Sequence, residues 1–587
     1  MRLRLPRIPR RPGPLVLSGV LLGVAFPPFH LVVPSFLALV PFAVWVAGLP
    51  ESDEEGRREA LRGGFFLGLI YYTLVFYWLL TSLIYYTPLA ILAFVLPVLI
   101  LSTFLAAGSE AMRLVRGRLG WPVWLLLPVF WTALEWLRGH LGPVSFPWMQ
   151  LGDSLATTPR LVGSADLVGS LGVSFWLALV GGLGAEVWLA WRSPGAGTGR
   201  GGRASAAASG GAGSEGDRSM AGSGRRLRGP VLGLAVAVAL PIGYSLVRWS
   251  TLELRPAARV GVIQPDVPED VKMKSDAATD SGMTAFYRLS ADSLLPHADS
   301  VEMVVLPEGV FPVRIERIPS VGWPGRPDIA RRVQRVARGL DARILYGAFG
   351  TKDLNHARYS LYNSAFLTDT AGRLIGRYDK HYLVPVVERV PFIPPAWLDR
   401  FQFFGWFSRG ETAAVFRSDG GRFGVLICYE DVFAQRARLY RNEGADFLVN
   451  ITNDAWFGRA RPWWSRTSAL WQHPAHLVMR SIESRMGAVR SANTGISEIV
   501  DPLGRVSHQT ALFTRAAFRG TVLTTDGRTL YDRWGDVVGW AAALAAAGGL
   551  LAALWRGRRT GGAPSAERPR PGAPDRPDAF SRKDMDG

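Results

Sequence analysis

Cys428 is the only cysteine in this 587-residue chain, and its neighbours are those a reactive thiol needs. It closes the apolar run Phe423-Gly424-Val425-Leu426-Ile427, which reads as a buried strand. After it, Asp431 precedes Arg436, Arg438 and Arg441, the charge order a helix dipole favours. A thiol placed where a core strand turns into a helix faces the N–H groups of the helix start. The expectation is a lowered thiol pKa and a nucleophile. The plain alternative is a buried cysteine acting as a small hydrophobe. Two more reactive side chains follow strand-like runs: Glu308 after Val304-Val305-Leu306 and a proline, Lys380 after Leu374-Ile375-Gly376-Arg377-Tyr378-Asp379. Lysine is scarce, with five against a large excess of arginine, which hints that a compact ammonium is wanted at Lys380.

Strand ends on one edge of an α/β sheet are where such side chains can converge. The stretch 250–536 supplies the elements. Strand-like runs lie at 258–264, 301–307, 343–348, 363–368, 423–428, 447–452, 487–491 and 497–500, and helix-like stretches at 284–295, 327–340, 432–442 and 470–485. Alternation of this kind predicts a layered sheet with helices outside.

The rest of the chain is apolar. Runs at 15–26, 31–49, 63–86, 89–107, 121–137, 167–191, 230–247 and 537–555 mostly approach the roughly 20 residues needed to cross a bilayer. Arginine clusters fall before the first run, after the second, fourth and sixth, and after the eighth. All share one side if eight spans start from a cytoplasmic N-terminus, which places 250–536 outside the cytoplasm. The expected organisation is a basic N-terminus (1–14), a membrane region with spans one to seven (15–249), an extracytoplasmic domain (250–536), an eighth span (537–555) and a disordered tail (556–587). A loop at 193–229, rich in Gly, Ser, Ala and Arg, reads as disordered. The net charge of +18 sits in these clusters rather than along one face, which argues against a nucleic-acid partner. A single cysteine excludes an intramolecular disulfide and a Cys-based zinc site. Glu135 and Arg138, three apart near the end of the fifth run, read as an ion pair anchoring that span.

Taken together, Leu306-Pro307-Glu308, Tyr378-Asp379-Lys380-His381-Tyr382 and Ile427-Cys428-Tyr429-Glu430 resemble the Glu–Lys–Cys triad of the nitrilase (carbon–nitrogen hydrolase) superfamily. Asn453-Asp454-Ala455-Trp456-Phe457-Gly458, Gln472-His473 ahead of Arg480 and Glu483, Asn493-Thr494-Gly495, Glu135-Trp136-Leu137-Arg138 and Phe146-Pro147-Trp148 narrow the resemblance to the apolipoprotein N-acyltransferase family. It implies a polytopic α-helical membrane domain of about eight spans carrying an extracytoplasmic αββα sandwich, in a bacterial inner membrane with both termini cytoplasmic. It implies transfer of a fatty acyl chain from a phospholipid, through a thioester, to the α-amino group of a diacylglyceryl-apolipoprotein. No metal or organic cofactor is needed.

In that chemistry Cys428 is the nucleophile, Glu308 the proton acceptor and Lys380 the oxyanion stabiliser, with Tyr429 N–H assisting. Glu388 is expected to hold Lys380 or the amine, and Tyr429 and Glu430 to line the site. The aromatic stretches containing Trp397, Phe404 and Trp406, and then Trp456, are expected to form a membrane-facing arm for acyl chains. Met273 departs from the family, which often has an aromatic there. A membrane-tethered amidase acting on a small amide, and an inactive lipoprotein-binding scaffold, are the rival readings.

Overall fold

The computed structural model describes residues 8–50, 53–85, 90–192, 215–269, 275–315, 327–355, 358–385, 387–390 and 407–561. Helices occupy every apolar run. They are α1 (Pro12–Ala25), α2 (Val32–Leu37), α3 (Val40–Ala47), α4 (Asp53–Leu83), α5 (Ala90–Leu119), α6 (Val123–Gly139), α7 (Ala165–Arg192) and α8 (Glu215–Thr251), with one more after the α/β region. Among the described residues, five helices are long and apolar enough to cross a membrane; α1 and the α2–α3 pair are shorter. Helix α7 breaks at Gly169, whose φ of 69° a side chain would resist and whose missing Cβ leaves room for the Tyr531 ring.

Two expectations are corrected here. The stretch 193–229 is expected to be disordered, but α8 begins at Glu215; residues 193–214 lie outside the described residues. The final helix likewise runs to Gly561, past the expected start of the tail at 556. In both places an apolar helix extends into flanking polar sequence, since propagation fixes one residue per hydrogen bond while only nucleation is costly.

The α/β part begins four residues after α8. Its elements are β1 (Arg255–Gln264), α9 (Ser275–Leu289), β2 (Met303–Val305), β3 (Phe311–Ile315), α10 (Pro327–Leu340), β4 (Arg343–Asn355), β5 (Arg358–Thr368), β6 (Leu374–Asp379), β7 (Val415–Arg417), β8 (Arg422–Ile427), α11 (Ala434–Asn442), β9 (Phe447–Thr452), α12 (Ala469–Ser484), β10 (Gly487–Ala492), β11 (Glu498–Val500), β12 (Val506–Ser507), β13 (Ala516–Thr524), α13 (Leu530–Trp534) and α14 (Val537–Gly561). One sheet has the order β13-β1-β2-β4-β5-β6, with β3 beside β4; the other runs β12-β11-β10-β9-β8-β7. Val260, Val262, Met303, Val305 and Leu345 of the first sheet pack against Phe423, Val425, Ile427, Val449 and Val489 of the second. Alternate residues point outward: Ile263, Val304 and Ile344 meet α9 and α10. This is the αββα sandwich.

The outer face of the second sheet is unlike the first. Leu426 and Leu448, with Ala437, Leu477 and Met479 of α11 and α12, belong to one continuous buried cluster with the residues of α1 to α7. Polar ties reinforce the seam. Trp148 Nε1 donates to Gln472 Oε1 at 2.9 Å, and Ser170 N–H donates to Glu483 at 2.7 Å. The helical and α/β parts therefore share a core. Glu135 and Arg138 do not form the expected salt bridge. Glu135 Oε1 instead accepts from Trp131 Nε1 (3.0 Å) and Leu151 N–H (2.8 Å), while Arg138 donates to Met149 O (3.2 Å), so both hold the 145–153 loop.

Candidate active site

Each chemical side chain leaves a strand end, and the two sheets contribute unequally. Glu308 follows β2 and Lys380 follows β6 in the first sheet; Cys428 follows β8 in the second. Facing sheets bring the three together. Lys380 is 1% exposed, and its Nζ donates to Glu308 Oε1 at 3.3 Å and Glu388 Oε1 at 3.0 Å. Burial alone would pull this ammonium down. Glu308 and Glu388 overcome that penalty and hold Lys380 above its ordinary pKa, so it stays charged.

Asn363, on β5, is a residue the sequence reading treated only as the start of a strand. Its Nδ2 donates to Glu308 Oε1 at 2.6 Å and to Glu388 Oε1 at 2.8 Å, while its carbonyl accepts the Lys380 N–H at 2.8 Å. Asn453 N–H donates to Glu308 Oε2 at 2.9 Å, and Val384 N–H to Glu388 Oε2 at 2.8 Å. Every oxygen of both carboxylates therefore has a donor. The amide of Asn363 at the middle of the strand Arg358–Thr368 was the available signal.

Cys428 has φ of 51°, the left-handed region that a side chain adopts only under local constraint. A 3₁₀ turn, Cys428–Val432, separates it from α11, so the helix starts later than the expected residue 432. The expected low thiol pKa is corrected as well. Burial pushes the Cys428 thiol well above its ordinary value, Glu308's charge adds to this, and Lys380 opposes it. A neutral thiol beside a carboxylate needs its proton removed at the moment of attack.

Glu430 is fully buried and does not line the site. Its carboxylate accepts from Tyr378 OH (2.7 Å), His381 N–H (2.7 Å), Tyr382 N–H (3.1 Å) and Ile427 N–H (2.8 Å). It clamps the Lys380 loop to the Cys428 turn. Tyr429 points the other way: its OH donates to Ser145 O at 3.0 Å and its ring stacks on Phe146 at 6.1 Å.

Residues 18–183 match the family described as the apolipoprotein N-acyltransferase N-terminal domain, and residues 283–525 match the carbon–nitrogen hydrolase family. Over 570 residues the chain is 33% identical to the apolipoprotein N-acyltransferase of Geobacter metallireducens, covering 94% of this chain and 97% of that one. The chain belongs to the apolipoprotein N-acyltransferase family. The apolipoprotein N-acyltransferase of Methylococcus capsulatus is 28% identical over 94% of this chain and 98% of its own. Among solved structures, an amidase from Nesterenkonia sp. is similar over 49% of this chain and 98% of that one, at 17% identity and a TM-score of 0.31. Family membership together with the apolar helices makes this a bacterial membrane protein.

Of the aromatic residues expected to form an arm in this apolipoprotein N-acyltransferase relative, Trp397, Phe404 and Trp406 lie outside the described residues, as does Met273. Trp456 is half-buried. Its neighbour Phe457 turns inward, 5.1 Å from the Trp78 ring and 5.4 Å from His473, so part of that stretch completes the seam with the helices. Trp463 and Trp464 stand out, 77% and 66% exposed.

A second buried cluster lies behind the nucleophile. His473 Nδ1 pairs with Asp454 at 2.8 Å and Nε2 with Asp431 at 3.2 Å. Arg490 pairs with the same two carboxylates at 2.8 and 3.1 Å. It supports the Cys428 turn through Asp431.

Proposed function

We propose that this chain is an acyltransferase that N-acylates lipoproteins, taking a fatty acyl chain from a membrane phospholipid and passing it, through a Cys428 thioester, to the α-amino group of a diacylglyceryl-cysteine. In the first half-reaction Glu308 takes the thiol proton as sulfur attacks the ester carbonyl. The oxyanion develops beside Lys380 and the Tyr429 N–H, and Glu308 returns the proton to the departing glycerol oxygen, releasing a lysophospholipid. In the second, the acceptor amine attacks the thioester, its proton passes to Glu308, and sulfur leaves as the thiolate that Glu308 reprotonates.

The observation that carries this reading is the placement of Lys380 between Glu308 and Glu388 against the raised thiol of Cys428. A charged lysine that two carboxylates hold rigid can stabilise an oxyanion without reorganising. Glu388 positions Lys380, and Glu430 fixes Lys380 relative to Cys428. The seam between α11, α12 and the helices supports a membrane-borne substrate, since it seats the α/β part directly on apolar helices. The charge pattern supports eight spans, both termini in the cytoplasm and the stretch 250–536 outside it, in the inner membrane. Trp456 and the aromatic stretch with Trp397, Phe404 and Trp406 serve as the acyl-chain arm that keeps water from the thioester. The relatives' shared name weighs against both the small-amide amidase and the inactive scaffold.

The test is to incubate the protein with acyl-labelled phospholipid and look for a hydroxylamine-sensitive adduct. Label should reside on Cys428 and vanish in Cys428→Ser. Label that persists in this variant would sink the mechanism, and so would hydrolysis of a small amide with no lipid adduct.

A further inference from the structure

A cavity of about 220 Å³ lies where three apolar helices meet the α/β part, far more room than a single water needs. Its walls are the start of α7, the end of α8, Arg485 and the loop 525–530 that leads towards α14. Helices α7, α8 and α14 are each long and apolar enough to cross a membrane, so their adjoining ends put the cavity at a membrane surface. Its surroundings agree. Leu246 and Val247 of α8 are exposed, and so are Leu530 and Trp534 beyond the loop. Trp249 lies under the Arg160 guanidinium at 4.9 Å, the pairing of ring and cation that suits an interfacial belt.

The charges lining the cavity do not cancel. They are Arg248, Arg485 and Arg528 against Asp166 and Asp526, which leaves one positive charge in excess. Asp166 Oδ2 accepts from Arg485 Nε at 2.9 Å and Arg248 Nε at 3.2 Å, and Oδ1 accepts from Tyr244 OH at 2.9 Å. Arg485 is committed to the frame, since its other nitrogens donate to Pro502 O at 2.9 Å and Gly163 O at 2.8 Å. Asp526 turns to Arg255, at 2.7 Å. Arg248 must therefore share its one acid, and its terminal nitrogens have no hydrogen-bond partner among the described residues. Arg528 is exposed and makes no ion pair among them. The wall is held in place: Arg441 Nη2 donates to Thr525 O at 2.8 Å, and Thr529 Oγ1 accepts from Asp532 N–H at 2.9 Å. Two guanidinium forks facing a preformed, roomy cavity match the oxygens of a phosphate.

We propose that this cavity binds the phosphodiester of an anionic phospholipid whose chains lie along the exposed side of α8. Arg248 and Arg528 hold the phosphate oxygens, and Asp166 with Arg485 fixes Arg248. One excess positive charge matches a lipid with one negative charge, and the apolar side of α8 favours an amphiphile over a free ion. The bound lipid braces α8 against α7 and the α/β part. None of the walls belongs to the Cys428 site, so the lipid is a structural partner, independent of the reaction proposed above.

The experiment is native mass spectrometry of the full chain with diether phosphatidylglycerol, whose chains cannot be transferred, and with the matching diether glycerol. The unaltered protein should retain the phosphatidylglycerol preferentially. In the double variant Arg248→Gln, Arg528→Gln its affinity should fall by about tenfold or more, the scale of a lost charge-assisted hydrogen bond, with binding of the diether glycerol unchanged. Lipid held at the Cys428 site is common to both proteins and drops out of the difference. An undiminished preference in the double variant overturns the proposal. A second measurement needs no variant: amide hydrogen exchange of the unaltered protein should slow at residues 525–530 with the phosphatidylglycerol and not with the diether glycerol. Equal exchange there with both lipids overturns the proposal too. Release of the phosphatidylglycerol by excess inorganic phosphate would assign the cavity to a free anion and overturn the lipid assignment.

Discussion

Two buried charge clusters lie on either side of Cys428, and they differ in one respect. Behind it, Asp431, Asp454, His473 and Arg490 are two acids and two bases, sealed from solvent. In front of it, Glu308 and Glu388 share the single ammonium of Lys380, with the neutral amide of Asn363 bridging both. The first cluster is complete: its charges cancel internally, and any change can only cost stability. The second carries one excess negative charge, which a thiol proton or an incoming ammonium can relieve. The difference separates scaffold from proposed machinery without reference to any relative.

The sharpest way to test that division is to remove members of the front cluster. Glu308→Gln keeps shape and loses the base; acyl-enzyme formation should fall by about a thousandfold or more, with thermal unfolding near that of the parent. Arg490→Leu should do the reverse. It leaves two buried carboxylates to share the single cation of His473, so a loss of about 3–5 kcal/mol is expected, visible as a lowered Tm in detergent. If Arg490→Leu proved stable but inactive, the rear cluster would have to be counted with the chemistry.

A smaller effect is expected at Asn363. Asn363→Leu removes one donor from each carboxylate and should slow acyl-enzyme formation by about 10- to 100-fold, measured as the single-turnover rate. Full activity would mean Lys380 alone keeps both acids in place. The smallest effect is in pH dependence. His473 is pushed up to about 9 although burial opposes it, because Asp431 and then Asp454 outweigh burial and the repulsion of Arg490. Its folded pKa exceeds the ordinary 6.5, so its stabilisation is complete below that value and drains away as pH rises through about 9. A Tm that declines between about pH 7 and pH 10, and does so less in His473→Gln, is expected; a flat profile would show an imidazole that never carries charge.

How much of this was legible in the sequence depends on distance along the chain. The strands leading to Glu308 and Cys428 are short apolar runs, the one leading to Lys380 opens on Leu374 and Ile375, and α10 falls on the expected residues 327–340 because its apolar positions repeat at helical spacing. Local pattern carries such information. Asn363 was missed because its role depends on the antiparallel register that sets Ser364 opposite Asp379, and no local pattern specifies that pairing. The thiol pKa was misjudged because the strand-to-helix boundary is local, whereas the burial and Glu308 charge that raise it are assembled from the other sheet. The Glu135–Arg138 pairing failed similarly. Spacing of three made them neighbours, but loop 145–153 offered both a better partner. Strands β7 and β13 escaped notice because they alternate weakly or carry charge on an edge.

Glu430 has a consequence for the order of events. One carboxylate grips backbone N–H groups of both reactive loops, so sulfur and ammonium cannot drift apart between the two half-reactions. In the proposed mechanism, departure of the lysophospholipid and arrival of the lipoprotein are then accommodated by whatever surrounds this rigid pair. Turnover speed would be governed at the rim, while the chemistry at the centre keeps a single fixed geometry.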